Sequence, residues 1–236
     1  MTIRIAKFIS NAGYCSRREA ERLIEKNYVF INNKICNHPS QKVNDKDIIK
    51  INNKILKKNN NIELWKMYKP IKYICSSKDK LKRKKIFDLL PKEMPNLISI
   101  GRLDYMSEGL ILFTNNGDYS RYLELPSSNI ERTYRVCITG NINKSDLKII
   151  NIGLKIKDIK YTKIKVVIEK ETKNYSWLIF KLREGKNREI RNICSYFNWK
   201  IVKLLRVSFG PYKLGSLKVG KLEKIKVINN DKNHRW

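Results

Sequence analysis

Asp104 lies in the segment Gly101-Arg102-Leu103-Asp104-Tyr105-Met106-Ser107-Glu108-Gly109, a polar turn between two apolar strands in which Gly101 and Gly109 allow tight backbone geometry. A carboxylate exposed at a strand end is suited to act as a nucleophile or proton acceptor, provided something keeps it charged. An Asp in a loop also serves simply to make an Asx-turn. Arg191 is the cation whose setting stands out. Asn187 can cap a helix in which Ile190, Ile193, Cys194 and Phe197 form one apolar face, and Arg191 sits at the edge of that face, close to the core, or is a solvated helix charge. Five cysteines, Cys15, Cys36, Cys75, Cys137 and Cys194, are scattered singly, and with His38 and His234 they form no metal-ligand spacing. They read as reduced thiols.

The elements that must position these residues fall into two parts. Ile5, Phe8, Ile9 and Ala12 recur at helical spacing, and Ser16-Arg17-Arg18-Glu19 has the form of a capping box that opens a second helix running to about Lys26 and burying Ala20, Leu23 and Ile24. Tyr28 to Ile35 is β-rich around Asn32-Asn33, and Ile51-Asn52-Asn53-Lys54-Ile55 repeats the pattern, which predicts two hairpin turns. Lys57-Lys58-Asn59-Asn60-Asn61 is a polar linker. Beyond it, strands are expected at 62–76, 97–103, 109–115, 131–139, 161–170, 175–184 and 200–208, with helices near 117–124, 143–151 and 187–198. Strands this close, with few helices between, imply a largely antiparallel α+β domain. Lys78 to Lys85 is a charged excursion, facing RNA or solvent.

Composition sets the class of partner. The chain carries 51 Lys+Arg against 22 Asp+Glu, a net charge of +29, and a polyanion such as nucleic acid is the natural complement. A compositionally biased genome would also enrich Lys. No apolar run reaches the length of a membrane span and the N-terminus lacks signal-peptide sections, so a cytoplasmic protein is expected.

The N-terminal part resembles the S4 RNA-binding domain along Arg4-Ile5-Ala6-Lys7-Phe8-Ile9, Ala12 to Ala20 and Val29 to Lys34. That resemblance implies RNA contacts by Arg4, Lys7, Ser16, Arg17, Arg18, Arg22 and Lys26. The Asp104 segment resembles, position by position, the catalytic motif of the RsuA-type pseudouridine synthases, Gly-Arg-Leu-Asp followed by a small hydroxyl residue, Gly and an apolar run ending in Thr. Ser107 stands where Thr is commoner and Asn116 where Asp often follows. Lys69-Pro70 resembles the first family motif, with Lys72 in place of a usual Gly. Glu131 to Val136 resembles the strand carrying the active-site tyrosine, which makes Tyr134 that residue rather than an ordinary strand aromatic. Glu184 to Arg191 resembles the third motif, whose last Arg pairs with the aspartate. Leu204-Leu205-Arg206-Val207 with Phe209-Gly210 resembles the closing strand, with Leu205 walling the uracil pocket.

The resemblance implies an S4-like domain over 1–58 and a catalytic domain over 62–236. It implies isomerisation of a ribosomal RNA uridine to pseudouridine without cofactor or metal, with Asp104, Tyr134 and Arg191 catalytic and Arg102 entering the space a flipped base vacates. Asn187-Arg188-Glu189 and Phe209-Gly210-Pro211 look most like the subgroup acting on the large ribosomal subunit. Ribosomal RNA or a pre-ribosomal particle is the implied partner, no membrane is involved, and a monomer is expected. A non-catalytic RNA-binding assembly factor would share the module and the charge. A DNA-binding protein would need a helix offered to the major groove, and none is singled out.

Overall fold

Ser16 fixes the start of a helix by a local bond, its Oγ accepting the Glu19 amide at 3.3 Å, which satisfies one of the donors that every helix N-terminus leaves over. The reciprocal half of the box is not made, because Glu19 turns to Arg22 at 3.2 Å. The computed structural model that contains this helix describes residues 2–57, 61–94 and 96–228. His234 and residues 58–60 of the expected linker lie outside the described residues.

Two compact units divide the α+β chain, the first comprising the segment up to Glu63 together with Lys92–Ile98 and Thr114–Gly117. In it β1 (Ile3–Arg4) leads into α1 (Ile5–Asn11) and α2 (Arg17–Glu25), followed by β2 (Val29–Ile31), β3 (Lys34–Ile35), β4 (Lys42–Val43), β5 (Ile49–Ile51) and β6 (Lys54–Ile55). β1 pairs with β4, and the other four strands form a sheet in the order β3-β2-β5-β6. Both expected hairpin turns form, with Asn32, Asn33, Asn52 and Asn53 all at positive φ, the conformation that a two-residue turn demands and asparagine tolerates. Ile5, Phe8, Ile9, Ala20, Ile24 and Val29 close an apolar core between the helices and this sheet.

The second unit is built on β7 (Leu64–Lys69), β8 (Ile98–Ile100), β9 (Glu108–Thr114), α3 (Gly117–Glu124), β10 (Arg132–Thr139), α4 (Lys144–Ile152), β11 (Leu154–Ile156), β12 (Ile159–Tyr161), β13 (Lys165–Glu171), β14 (Ser176–Leu182), α5 (Glu189–Tyr196), β15 (Lys200–Phe209), β16 (Tyr212–Lys213) and β17 (Leu222–Ile225). Its sheet runs β13-β14-β10-β15-β9-β7-β17, with β16 on β15 and β8 on β9. β13, β14, β10 and β15 are antiparallel neighbours, whereas β9 and β15 run parallel. Cross-strand partners share a face, so the register Phe180↔Tyr134↔Arg206 and Leu178↔Val136↔Leu204 puts these six side chains on one side of the sheet. Against that side packs the apolar stripe of α5, Ile190, Ile193 and Cys194.

Three elements depart from the expected pattern. β7 stops at Lys69 instead of running to 76, since Pro70 brings no N–H to a ladder and the chain then turns through Lys72 at φ 63. The β11–β12 hairpin, all but its last residue outside the expected elements, turns through Lys157 at φ 53. β17 carries only Leu-Glu-Lys-Ile and is recognisable as a strand only through its pairing with β7. Among the described residues no helix is long and apolar enough to cross a membrane, and no group of His, Cys, Asp or Glu is arranged to hold a metal ion. All five cysteines are free.

Candidate active site

Asp104 projects from the turn between β8 and β9. Gly101 enters that turn at φ +68, and Gly109 leaves it at φ +101, where a Cβ would collide with the Arg206 carbonyl oxygen and the Leu205 side chain of the neighbouring strand. The Ser107 amide donates to the Asp104 carbonyl at 3.0 Å and closes the turn. Beneath it lies Lys69, a lysine with no solvent exposure. Its Nζ donates to three backbone carbonyls, those of Pro70 at 3.0 Å, Asp104 at 3.1 Å and Ser107 at 2.7 Å. Burial pulls its pKa down to about 8, against weaker opposing pulls from Cys75 and Asp104. The Lys72 amide adds a bond to the Tyr105 carbonyl at 2.7 Å, and Cys75 Sγ accepts from the Leu103 amide at 3.3 Å. Lys72 therefore does take the left-handed conformation that a Gly would have supplied there.

Arg191 reaches this turn from α5. Its Nε donates to Asp104 Oδ2 at 3.1 Å and its Nη2 to Ser107 Oγ at 3.0 Å, so one guanidinium grips both ends of the turn. With 16% of the Arg191 side chain and 32% of the Asp104 side chain exposed, the pair is partly withdrawn from water but open on one side. A charge-assisted bond in such a place is stronger than a neutral one and holds the carboxylate in one direction. Asn187 does not cap the helix that carries Arg191. The N-cap is Arg188 at φ 52, with no side-chain bond, and just before it the Glu189 carboxylate accepts the Lys186 amide at 2.8 Å. Burial pushes the Glu189 pKa upward.

Asp104, Ser107 and Arg191 line a small cavity of about 90 Å³ together with Arg102, Tyr134, Leu182 and Leu204. It opens beside a cleft of about 800 Å³ that shares Arg102, Asp104 and Tyr134 and continues past Arg132, Arg206 and Phe209. Leu205 is not part of the wall. Side chains alternate along a strand, so the residue next to Leu204 points to the opposite face, toward Gly109, and the expectation for Leu205 is corrected to Leu204. Two more cations are buried at the cleft: Arg132 donates to the Arg183 and Leu123 carbonyls at 2.8 and 3.2 Å, and Arg206 Nε to Leu110 at 2.7 Å. Both guanidinium groups lie over the Phe209 ring, 4.7 and 5.2 Å from its centre. An anion and a cation facing each other across apolar and aromatic walls suit a small, flat, polar ring and a reaction at its edge.

Residues 63–196 match the family model described as RNA pseudouridylate synthase, and residues 3–49 match the S4 domain. The chain belongs to the RNA pseudouridylate synthase family. Relatives in this family include an uncharacterized RNA pseudouridine synthase of Rickettsia typhi, 43% identical over 96% of each chain. They also include a protein of Buchnera aphidicola subsp. Schizaphis graminum named ribosomal large subunit pseudouridine synthase B, 36% identical over 89% of this chain and 84% of that one. A crystal structure of a pseudouridylate synthase shares the fold, with a TM-score of 0.67 at 23% identity over 95% of this chain and 96% of that one.

Within the S4 domain of this family member, Arg17, Arg18 and Arg22 are exposed on α2, with Arg4 exposed at the N-cap of α1, Lys7 half-buried on that helix and Lys26 exposed at the C-cap of α2. Ser16 spends its oxygen on the helix cap. In the charged excursion, Asp79 holds Arg83 in a two-pronged pair at 3.0 and 2.7 Å, so that segment is internally tied. What the residue pattern does not disclose is the part played by Ser107 as second acceptor for Arg191, and the burial of Lys69, Arg132 and Arg206. Leu204 shares a face with Arg206 along β15, and it is the pairing Tyr134↔Arg206, set by the fold, that turns this face toward the cavity.

Proposed function

We propose that this protein isomerises a uridine of large-subunit ribosomal RNA to pseudouridine in the cytoplasm, with Asp104 as the nucleophile or proton acceptor, Arg191 aiming it and Tyr134 stacking on the base. The observation that carries this reading is the fork of Arg191 onto Asp104 and Ser107, at 3.1 and 3.0 Å, inside a cavity with an apolar wall. The reaction breaks the bond between N1 and the ribose, turns the base, joins it through C5, and exchanges the C5 proton for one on N1. That needs a carboxylate kept ionised next to the sugar and uracil, which a paired guanidinium favours. The target base must leave its stack, at a cost of a few kcal/mol. Arg102, exposed at the rim of the cavity, fills the vacated space.

The choice of the large subunit rests on the relatives that carry that name and on Asn187-Arg188-Glu189 and Phe209-Gly210-Pro211. The RNA-anchoring module covers residues 1–58 and the catalytic domain 62–236, and Arg4, Lys7, Ser16, Arg17, Arg18, Arg22 and Lys26 hold the RNA. Two measurements test the reading. Pseudouridine mapping in ribosomal RNA from cells with and without the gene should show one site lost in large-subunit RNA; a site lost in small-subunit RNA moves the target, and no lost site removes the function. Tritium release from 5-tritiated uridine RNA should be present with the wild type and absent with Asp104→Asn.

A further inference from the structure

Beside the catalytic cavity lies a second one, of about 370 Å³, lined by Arg188, Arg191, Ser195, Asn198, Trp199, Lys200 and Ile201. Its chemistry is one-sided. Arg191 and Ser195 share one face of α5, Arg188 precedes that helix at its N-cap, Asn198 comes from the turn after it and Lys200 opens β15. Three cations and two neutral hydrogen-bonding side chains line it, and no acidic residue does. Neither Arg188 nor Lys200 makes a salt bridge or side-chain hydrogen bond among the described residues, and both are exposed. Arg188 and Arg191 line both cavities, and of the Arg191 nitrogens Nε and Nη2 are engaged by Asp104 and Ser107, which leaves Nη1 as the remaining donor.

The cavity is not built to stack a base. Trp199 is 3% exposed, its ring is stacked on Phe197 at 5.2 Å and its Nε1 donates to the Asn141 carbonyl at 3.0 Å, so no aromatic face is offered. Uncompensated cations in a concave site with short hydroxyl and amide donors fit a phosphate. We infer that this cavity holds one backbone phosphodiester of the RNA next to the flipped uridine, with Arg188 and Lys200 as its ligands and Arg191 as the bridge to the reacting nucleotide. The inference deepens the proposed function and rests on it: a phosphate seated here would register the strand so that the neighbouring uridine meets Asp104.

The test joins charge removal in the protein to charge removal in the RNA. Fluorescently labelled RNA hairpins containing the target uridine are prepared with a neutral methylphosphonate at each linkage within two nucleotides of it, one per molecule. Binding is measured by anisotropy across a salt series, for the wild-type protein and for Arg188→Gln/Lys200→Gln. The wild type should lose about tenfold in affinity for one linkage, its salt slope falling by about 0.7, the value for one single-stranded phosphate. The double variant should bind unmodified RNA about as weakly and be insensitive to that same linkage. In tritium release the variant should show the loss in KM, with kcat changed far less. If no single linkage matters, or if variant and wild type respond to it alike, the subsite is overturned, and the cations form only a diffuse basic surface. Wild-type tritium release reports separately on the function: with it present, a flat linkage scan removes the subsite alone; with it absent and the linkage effect intact, the subsite stands and the isomerase reading falls.

Discussion

The S4 domain and the catalytic unit handle their cations in opposite ways. Around the apolar core of Ile5, Ile9, Ala20 and Ile24, the arginines of α2 stand in water, and where Arg22 pairs with Glu19 both side chains are at least half exposed. In the catalytic unit Lys69, Arg132 and Arg206 are buried, and each donates to backbone carbonyls, although Arg206 Nη2 has no hydrogen-bond partner among the described residues. An exposed cation attracts a polyanion at long range and is readily screened by salt. A buried one with fixed acceptors holds backbone in place and is insensitive to salt. The contrast assigns affinity to the first region and geometry to the second, and it can be broken at either end.

The largest effects should belong to the Asp104 turn. Asp104→Asn should lower single-turnover tritium release by at least about 10³-fold, the scale of losing a nucleophile, with RNA affinity nearly unchanged. Arg191→Met keeps the apolar stem and removes the fork, so turnover should fall by roughly 10- to 150-fold, equivalent to about 1.5–3 kcal/mol of charge-assisted bonding. Arg191→Lys should recover only part of that, since an ammonium cannot reach both acceptors in one plane. Wild-type rates in Arg191→Met would mean that the observed pair has no catalytic role, and the division between the regions would fail.

Lys69 should come next. Lys69→Met leaves the Pro70 and Ser107 carbonyls without this donor, while the Asp104 carbonyl keeps the Ser107 amide, and each unsatisfied group costs about 1–3 kcal/mol before relaxation. The melting temperature should drop by roughly 2–4 °C per kcal/mol for a chain of this size. The wild type has its own pH signature. Because the folded-state pKa is about 8, below the 10.5 of a free lysine, the unfolded chain binds this proton more tightly across that window. The contribution of this group to stability therefore rises with pH between about 8 and 10.5, as a penalised buried charge is released. Turnover should move the other way, since a neutral amine has two N–H groups for three carbonyls and the Asp104 turn loosens. A fall in kcat above about pH 8 that Lys69→Met lacks would tie the limb to this residue; the same limb in both proteins would assign it elsewhere.

Local chemistry was readable from the residues, and non-local chemistry was not. The Ser16 cap, the two Asn-Asn turns and the apolar stripe of α5 each depend on side chains within a few positions of one another, and each is found. β17 is two apolar residues around two charges and becomes a strand only because β7, more than 150 residues earlier, has a free edge at Leu64 to Met67. Lys69 is singled out only by the resemblance of Lys69-Pro70 to a family motif, and its burial follows from a turn 35 residues away that supplies a carbonyl. The Leu205 expectation failed by one position, which in a strand reverses the face. The Asn187 expectation failed because the helix begins one residue later, with Arg188 in the left-handed conformation at its N-cap.

On the exposed side of the comparison the effects should be smaller and depend on salt. Arg17→Gln/Arg18→Gln/Arg22→Gln should weaken binding of ribosomal RNA fragments and reduce the salt slope by about 0.7–0.9 for each phosphate no longer neutralised, with kcat at saturating RNA little changed. If instead kcat fell while the slope held, these arginines would be acting on geometry, and the two regions would not differ as described.

The smallest expected effect separates two jobs at one residue. Ser16 caps α2 and is also an expected RNA contact, and its hydroxyl lies on the exposed surface. Ser16→Ala removes the cap and should cost about 1 kcal/mol in unfolding experiments, because the Glu19 amide loses its acceptor. Loss of RNA affinity in that variant would be ambiguous, since a frayed first turn also displaces Arg17 and Arg18. Ser16→Asp resolves it. An aspartate caps as well as a serine and favours the positive end of the helix, so stability should be retained or slightly raised. Its negative charge would meet any phosphate placed there. If Ser16 touches RNA, Ser16→Asp should bind several-fold more weakly than Ser16→Ala despite being the more stable of the two, and the gap should narrow as salt is raised. Equal binding by the two variants would confine Ser16 to the helix cap and leave the surface of α2 to its arginines.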